Sequence, residues 1–339
     1  MLDIFNIKEN KVSTDLLAYP MVLMSENSGD GKTHSMKMIL DSLSDGTNKK
    51  PLFIEFEDRY QHIPGIMVAR IHNMTELEIL KGQLKNPKAH DLYSCLVLDT
   101  ADKLDAMLEK YVATNREVEI TGDLQFGKGN KCIKNALWFI DEMRNEGWKV
   151  NFLCQSIKNE NIITHTVTYE PKLNKETWAK ISHDAYLIGM LTVDPKSKTG
   201  DRIITFKKDS KYPVLKDSIG MPNTVKVSEF KDFMDKAVHN IKGAEFTDED
   251  TINQVQNDTV EFKDIINKGN QLGGLLSQHS KGALDEAMNI LRTNIGIKDE
   301  KTKEPMMFSD LVESQRDLAN VVVIKLEELC KKYGIDIPQ

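Results

Sequence analysis

"SENSGDGKTHS", residues 25–35, decides how the rest of the chain is read. Gly29, Gly31, Lys32 and Thr33 stand in the register of a phosphate-binding loop. Small residues let successive backbone N–H groups turn inward on one anion, and the helix that follows adds its positive N-terminal dipole. The lysine then reaches the β- and γ-phosphates, and the threonine hydroxyl ligates magnesium. One position departs. Glu26 stands five residues before Gly31, where the usual pattern has another glycine. It shapes the start of the loop and does not cradle phosphate directly. The departure is compatible with phosphate binding if the backbone there avoids positive φ and the carboxylate points outward. Asn27, Ser28, Gly29, Asp30, Gly31, Lys32, Thr33 and His34 are therefore the expected nucleotide-binding residues.

The context of the loop fits. "YPMVLMSE" (19–26) reads as a buried strand, and Met36, Ile39, Leu40 and Leu43 recur at helical spacing after it. Further strands are expected at "KPLFIEFE" (50–57), "YSCLVLDT" (93–100) and "WKVNFLCQS" (148–156). Helices are expected at "MTELEILKGQL" (74–84), with Thr75 as N-cap, and at 131–147, ended by Gly147. Strands alternating with helices imply a mostly parallel sheet with helices on both faces. From about residue 160 the pattern changes. "ITHTVTYEP" and "DAYLIGMLTV" read as strands, and the polar turn "DPKSKTGDR" before "IITFKKD" suits an antiparallel extension at the sheet edge. A helix is expected over 228–241. The acidic stretch 243–258 reads as a linker, and only helical patterns follow it. In the last of these, Leu318, Val322, Leu326, Leu329 and Tyr333 form one stripe. The expected division is a core over 1–242, a linker over 243–258 and a small helical domain over 259–339. No internal repeat is visible.

With 339 residues the chain has room for one large domain and a smaller one. Hydrophobic residues at 40 % and charged residues at 29 % fit a soluble globular protein. No apolar run approaches the roughly 20 residues a membrane span needs. The start "MLDIFNIKEN" lacks a basic segment followed by an apolar one, so a cytoplasmic location is expected. Cys95, Cys132, Cys154 and Cys330 have no metal-ligand spacing and read as buried free thiols. The net charge of −7 lies wholly in residues 243–339, because residues 1–242 balance 34 basic against 34 acidic side chains. A neutral front part can still carry a local basic stripe, whereas the acidic tail part does not suit a polyanion.

Three strand ends carry candidate chemistry. "CLVLDT" ends in Asp99, expected on a strand next to the loop strand, where magnesium needs a partner. The metal set is thus Thr33 and Asp99. "FIEFE" holds Glu55 and Glu57, acids that are costly to bury without a task. Glu57, at the strand end, is the expected base that orients the attacking water. "NFLCQS" places Gln155 at the end of its strand, where it would sense the γ-phosphate.

Taken together, "SGDGKT", "FIEFE", "LVLDT" and "FLCQS" resemble the RecA-like ATPase core. More narrowly, with "FGKGNKCIKNALWFIDEM", "SHDAYLIGML" and "YPVLKDSIGMPNTV", they resemble the Sak-type single-strand annealing proteins of bacteriophages over roughly residues 10–240. The resemblance implies an α/β fold, a RecA-like P-loop NTPase core with helices flanking a mostly parallel sheet, plus a small helical C-terminal domain. It implies ATP and Mg2+ as cofactors and a ring or filament of identical subunits. It places catalytic roles on Lys32, Glu57 and Gln155, and on Lys216, which would reach a neighbour's ATP. The second basic position of that closing motif holds Ser218, so slow or assembly-dependent hydrolysis is expected.

Lys128, Lys131 and Lys134 flank Gly127 and Gly129, and Lys207 and Lys208 belong to a second basic cluster with Lys196, Lys198, Arg202 and Lys211. Lysines neutralise phosphates, and Phe126 could stack on a base. RecA-like proteins bind single strands in this region, so single-stranded DNA is the expected partner. The acidic C-terminal helices would then be an interaction or autoinhibitory element. The favoured reading is an ATP-dependent phage-type recombination protein that oligomerises on single-stranded DNA and promotes annealing or strand exchange. The alternative is an ATP-switched replication accessory factor, similar to a helicase loader, acting through protein partners. A ring helicase of related core is a third.

Overall fold

The computed structural model describes residues 11–44, 46–57, 63–118, 137–247, 262–299 and 304–337. The chain forms two compact units, one spanning Asn10–Thr251 and the other built on Ile252–Gln339. Strands of the first unit are β1 (Val12–Ser13), β2 (Met21–Ser25), β3 (Lys50–Glu55), β4 (Met67–Arg70), β5 (Tyr93–Asp99), β6 (Val150–Glu160), β7 (Val167–Pro171), β8 (Leu187–Val193), β9 (Arg202–Thr205), β10 (Lys216–Asp217), β11 (Thr224–Lys226) and β12 (Phe246–Thr247). Its helices are α1 (Lys32–Leu43), α2 (Met74–Leu84), α3 (Pro87–Leu92), α4 (Ala101–Asn115), α5 (Trp138–Asn145), α6 (Lys175–Asp184) and α7 (Phe230–His239).

The main sheet runs β11-β9-β8-β2-β6-β5-β3-β4. The six strands from β8 to β4 are parallel, and β9 and β11 add antiparallel strands at one edge. The strands read as continuous apolar runs because both faces are covered. Along β2, Val22 and Met24 pack on one face with α2, α4, α5 and α6. Met21 and Leu23 pack on the other with Met36, Ile39 and Leu40 of α1 and Phe230 and Met234 of α7.

The structure corrects the expected sheet order. β6 lies between the loop strand β2 and the Asp99 strand β5, so these two are not neighbours. Apolar periodicity encodes burial but not adjacency. Two smaller differences have local causes. The α2 N-cap is Asn73, whose side chain accepts from Glu76 N–H at 3.0 Å, and not Thr75. β6 continues past Gln155 to Glu160, because antiparallel β7 pairs with it from Ser156↔Pro171 to Glu160↔Val167. Within the stretch read as linker, Phe246 and Thr247 pair in parallel with Val12 and Ser13 of β1.

Gly189, in the middle of β8, marks a close approach. A Cβ there would stand 2.4 Å from Ile204 Cγ2 and 2.8 Å from Phe206 Cε1. Gly189→Ala should therefore destabilise the unit by about 1–3 kcal/mol through overpacking. The check is a lower urea midpoint at unchanged slope; an unchanged midpoint would contradict this packing.

The second unit packs α8 (Phe262–His279), α9 (Lys281–Asn294) and α10 (Arg316–Lys332) around Leu272, Leu276, Ala283, Val322 and Leu326. The expected stripe on α10 is the buried one: Val322, Leu326 and Leu329 are in the core, with Leu318 and Tyr333 packed against it. No described helix is long and apolar enough to cross a membrane.

Candidate nucleotide site

β2 ends at the buried Ser25, the chain turns through 26–31, and α1 begins at Lys32. The turn is tight because Gly29 and Gly31 adopt φ of 95° and 88°, values that cost L-residues strain. Asp30 stabilises it from within, its carboxylate accepting from Asn27 N–H at 2.8 Å. Lys32 is only 7 % exposed and folds back along the loop. Its ammonium donates to Ser25 Oγ at 2.8 Å and to the Asn27 carbonyl at 3.2 Å. The charge is thus held at the mouth of α1, where the helix dipole also favours an anion.

Glu26 meets both conditions set by the sequence. It is not among the positive-φ residues, and its side chain is exposed. Its carboxylate lies near the phenol of Tyr169, on β7, and Glu26 does not line the cavity beside the loop. Burial first, then this carboxylate, pushes the Tyr169 phenol up, while Lys211, over its ring at 5.4 Å, opposes the shift.

Thr33 Oγ1 donates to Asp99 Oδ2 at 2.5 Å, although one strand separates their strands. The pairing works because β5 and β2 end within two residues of each other along β6: Asp99 is opposite Leu153, and Ser25 opposite Gln155. On the far side of Asp99, Glu55 is in register with it and is 1 % exposed. Arg70, its cross-strand partner on β4, offsets that burial with an ion pair at 3.4 Å. Glu57 lies past the end of β3 and pairs with Lys103 Nζ at 2.9 Å.

These groups wall one cavity of about 210 Å³. Ser28, Gly29, Gly31, Lys32, Thr33 and His34 form one side; Glu57, Asp99 and Gln155 form the other. Asn27 and Asp30 do not line it and act instead as supports of the loop. Residues the sequence reading did not place here are Ile63, Thr100 and Asp102. Asp102 accepts from Gln155 N–H at 3.0 Å and so fixes β6 at that residue. Its signal in the sequence was weak, an acid in the first turn of a helix. Gln155 lines the cavity from within β6 and not, as expected, from the end of its strand.

The residues fit a magnesium-bound triphosphate. Two loop glycines at positive φ, a buried lysine at a helix N-terminus and a hydroxyl–carboxylate pair are the donors such a group requires. Thr100 Oγ1, buried at the cavity with no hydrogen-bond partner among the described residues, is one more polar atom that a ligand or its water would satisfy. Thr33 and Asp99 would hold the metal, which when bound neutralises phosphate charge.

The other predicted residues are elsewhere. Lys216 pairs with Ile188 near the start of β8, and its ammonium donates to the carbonyls of Ser182 and His183 at the end of α6. It does not line its own chain's cavity. Lys207 and Lys208 are exposed just after β9. Lys128, Lys131 and Lys134, with Phe126 and Cys132, lie outside the described residues. The thiols of Cys95, Cys154 and Cys330 are free and buried, and burial pushes Cys95 up to about 12.

A parallel sheet carrying a phosphate loop on one strand and an acid that meets its threonine two places along defines a P-loop protein. The chain belongs to the family described as "AAA domain", whose match spans residues 19–214. Among solved structures, a KaiC-like protein from the hyperthermophilic archaeon Pyrococcus horikoshii OT3 aligns at a TM-score of 0.31 and 13 % identity, covering 56 % of this chain and 78 % of that one. No curated protein matches the sequence.

Proposed function

We propose that the protein is a magnesium-dependent ATPase that assembles on single-stranded DNA and promotes annealing or strand exchange, as its resemblance to phage Sak-type proteins implies. In this reading Lys32 clamps the phosphates, Thr33 and Asp99 hold the metal, Glu57 orients water, and Lys216 completes a neighbour's site. The observation that carries the DNA half is the path of β6. The strand runs from Gln155, at the triphosphate cavity, without interruption to Glu160 and into a hairpin whose turn presents Ile162 and Ile163, 85 % and 90 % exposed. Asn161 orders that turn, its side chain accepting from Ile163 and Thr164 N–H. A change at the γ-phosphate thus has a continuous backbone route to an exposed aliphatic tip of the kind that wedges between bases.

ATP hydrolysis measured with and without single-stranded DNA tests this. Stimulation several-fold, with binding that weakens as salt rises, is the expected result. Lys207→Glu with Lys208→Glu should reduce the salt slope by about 0.7 per lost phosphate contact. Hydrolysis indifferent to DNA, with no binding, would overturn the DNA half and leave the ATPase half standing. That outcome would favour the accessory-factor reading, which the exposed Val321 and Ile324 on α10 support as a partner surface.

A further inference from the structure

The two oxygens that seat the Lys32 ammonium, Ser25 Oγ and the Asn27 carbonyl, belong to the residues on either side of Glu26. Ser25 Oγ also donates to the Asn27 carbonyl at 3.1 Å, which ties the two together. A shift of the backbone at Glu26 therefore moves the lysine. Glu26 itself is exposed, one residue beyond the end of β2. Ser25 stands opposite Gln155 of β6, and β7 pairs with β6 from the next residue on, Ser156 opposite Pro171 and Lys158 opposite Tyr169. This register brings the start of the loop to the base of the β6–β7 hairpin, where the Tyr169 phenol lies near the Glu26 carboxylate.

We propose that Tyr169 is a positioning residue for the phosphate loop: it anchors Glu26 and, through Glu26, the two oxygens that aim the Lys32 ammonium. This rests on the ATP reading above and deepens it. An anchor must be rigid, and Tyr169 is held from several sides. Its side chain is buried in the core that contains Met190 and Leu215. Its N–H donates to the Lys211 carbonyl at 2.9 Å, and its ring centroid lies 5.4 Å from that of Tyr212. The Lys211 ammonium stands over both rings, 5.4 Å from the Tyr169 centroid and 4.9 Å from that of Tyr212. A cation over two ring faces ties the aromatic pair together. It also brings a positive charge to the cluster that holds Glu26. Tyr169 does not line the cavity, so its effect on the phosphates runs through the loop. Glycine, the usual residue at position 26, has no side chain to hold. The glutamate found there gives the hairpin a grip on the loop.

The test compares Tyr169→Phe, Glu26→Ala and the double variant in steady-state Mg-ATP hydrolysis by the full-length protein. Phenylalanine keeps the ring packing and removes only the hydroxyl, and Glu26 is exposed, so both single variants should keep the wild-type urea midpoint. A group misplaced by about 1 Å can cost about a hundredfold in rate. The seat of Lys32 survives in part, so each single variant should lower kcat about tenfold. KM should stay within about threefold, because the ammonium remains beside the loop and only its aim in the transition state changes. The double variant should lose no more than either single one, since both changes break the same contact. Unchanged kcat in either single variant, or losses that multiply in the double one, would overturn the inference. Wild-type protein that neither binds nor hydrolyses Mg-ATP would instead sink the ATP reading on which it stands.

Discussion

Lys32→Ala should abolish nucleotide binding and, with it, hydrolysis. The side chain is buried, and its ammonium is held between Ser25 Oγ and the Asn27 carbonyl, so its position is set before any ligand arrives. Preorganised charge of this kind acts in a site of low dielectric, where removing one donor costs about a hundred- to a thousand-fold in rate. Alanine also leaves the loop with one cation fewer at the helix mouth while Glu55, Glu57, Asp99 and Asp102 remain around the cavity. Phosphate charge would then meet carboxylates without the lysine. Calorimetry with Mg-ATP reads the loss directly, and circular dichroism confirms that the fold survives. Binding within a few-fold of wild type would show that the lysine is structural.

Glu57→Gln should separate binding from chemistry. Amide and carboxylate have the same shape, but only the carboxylate accepts a proton from the attacking water. Losing a positioned base lowers the rate by about a hundred- to ten-thousand-fold. ATP affinity should hold within about threefold, because Glu57 comes from beyond β3, outside the phosphate loop, and pairs with Lys103. Glu55→Gln is the contrasting variant. Glu55 is buried against Arg70, so its loss should appear first as reduced thermal stability. If Glu55→Gln stops hydrolysis without destabilising the protein, and Glu57→Gln does not, the base has been assigned to the wrong glutamate.

Most of the framework was legible because it depends on local pattern. The strands ending at Ser25, Glu55 and Asp99 are apolar along their length because helices cover both faces, and such runs stand out between polar loops. The loop itself is a fixed spacing of residues with special backbone and chemical demands. What escaped depends on contacts distant in sequence. The insertion of β6 between β2 and β5 leaves no mark on either strand's composition. Arg202 meets the Asp30 carbonyl across 172 residues, so among nearby lysines it read as one more surface charge. Glu26 reads as a defect in the sequence alone; in the fold it is exposed at the start of the loop, outside the cavity and near Tyr169 of β7, a strand distant in sequence.

The most direct measurement is a crystal structure with magnesium and a non-hydrolysable ATP analogue. The β-phosphate should sit among the N–H groups of residues 29–33 beside Lys32 Nζ, and the metal should separate Thr33 Oγ1 from Asp99, which now touch at 2.5 Å. A triphosphate bound elsewhere, with the Thr33–Asp99 hydrogen bond intact, would contradict the account.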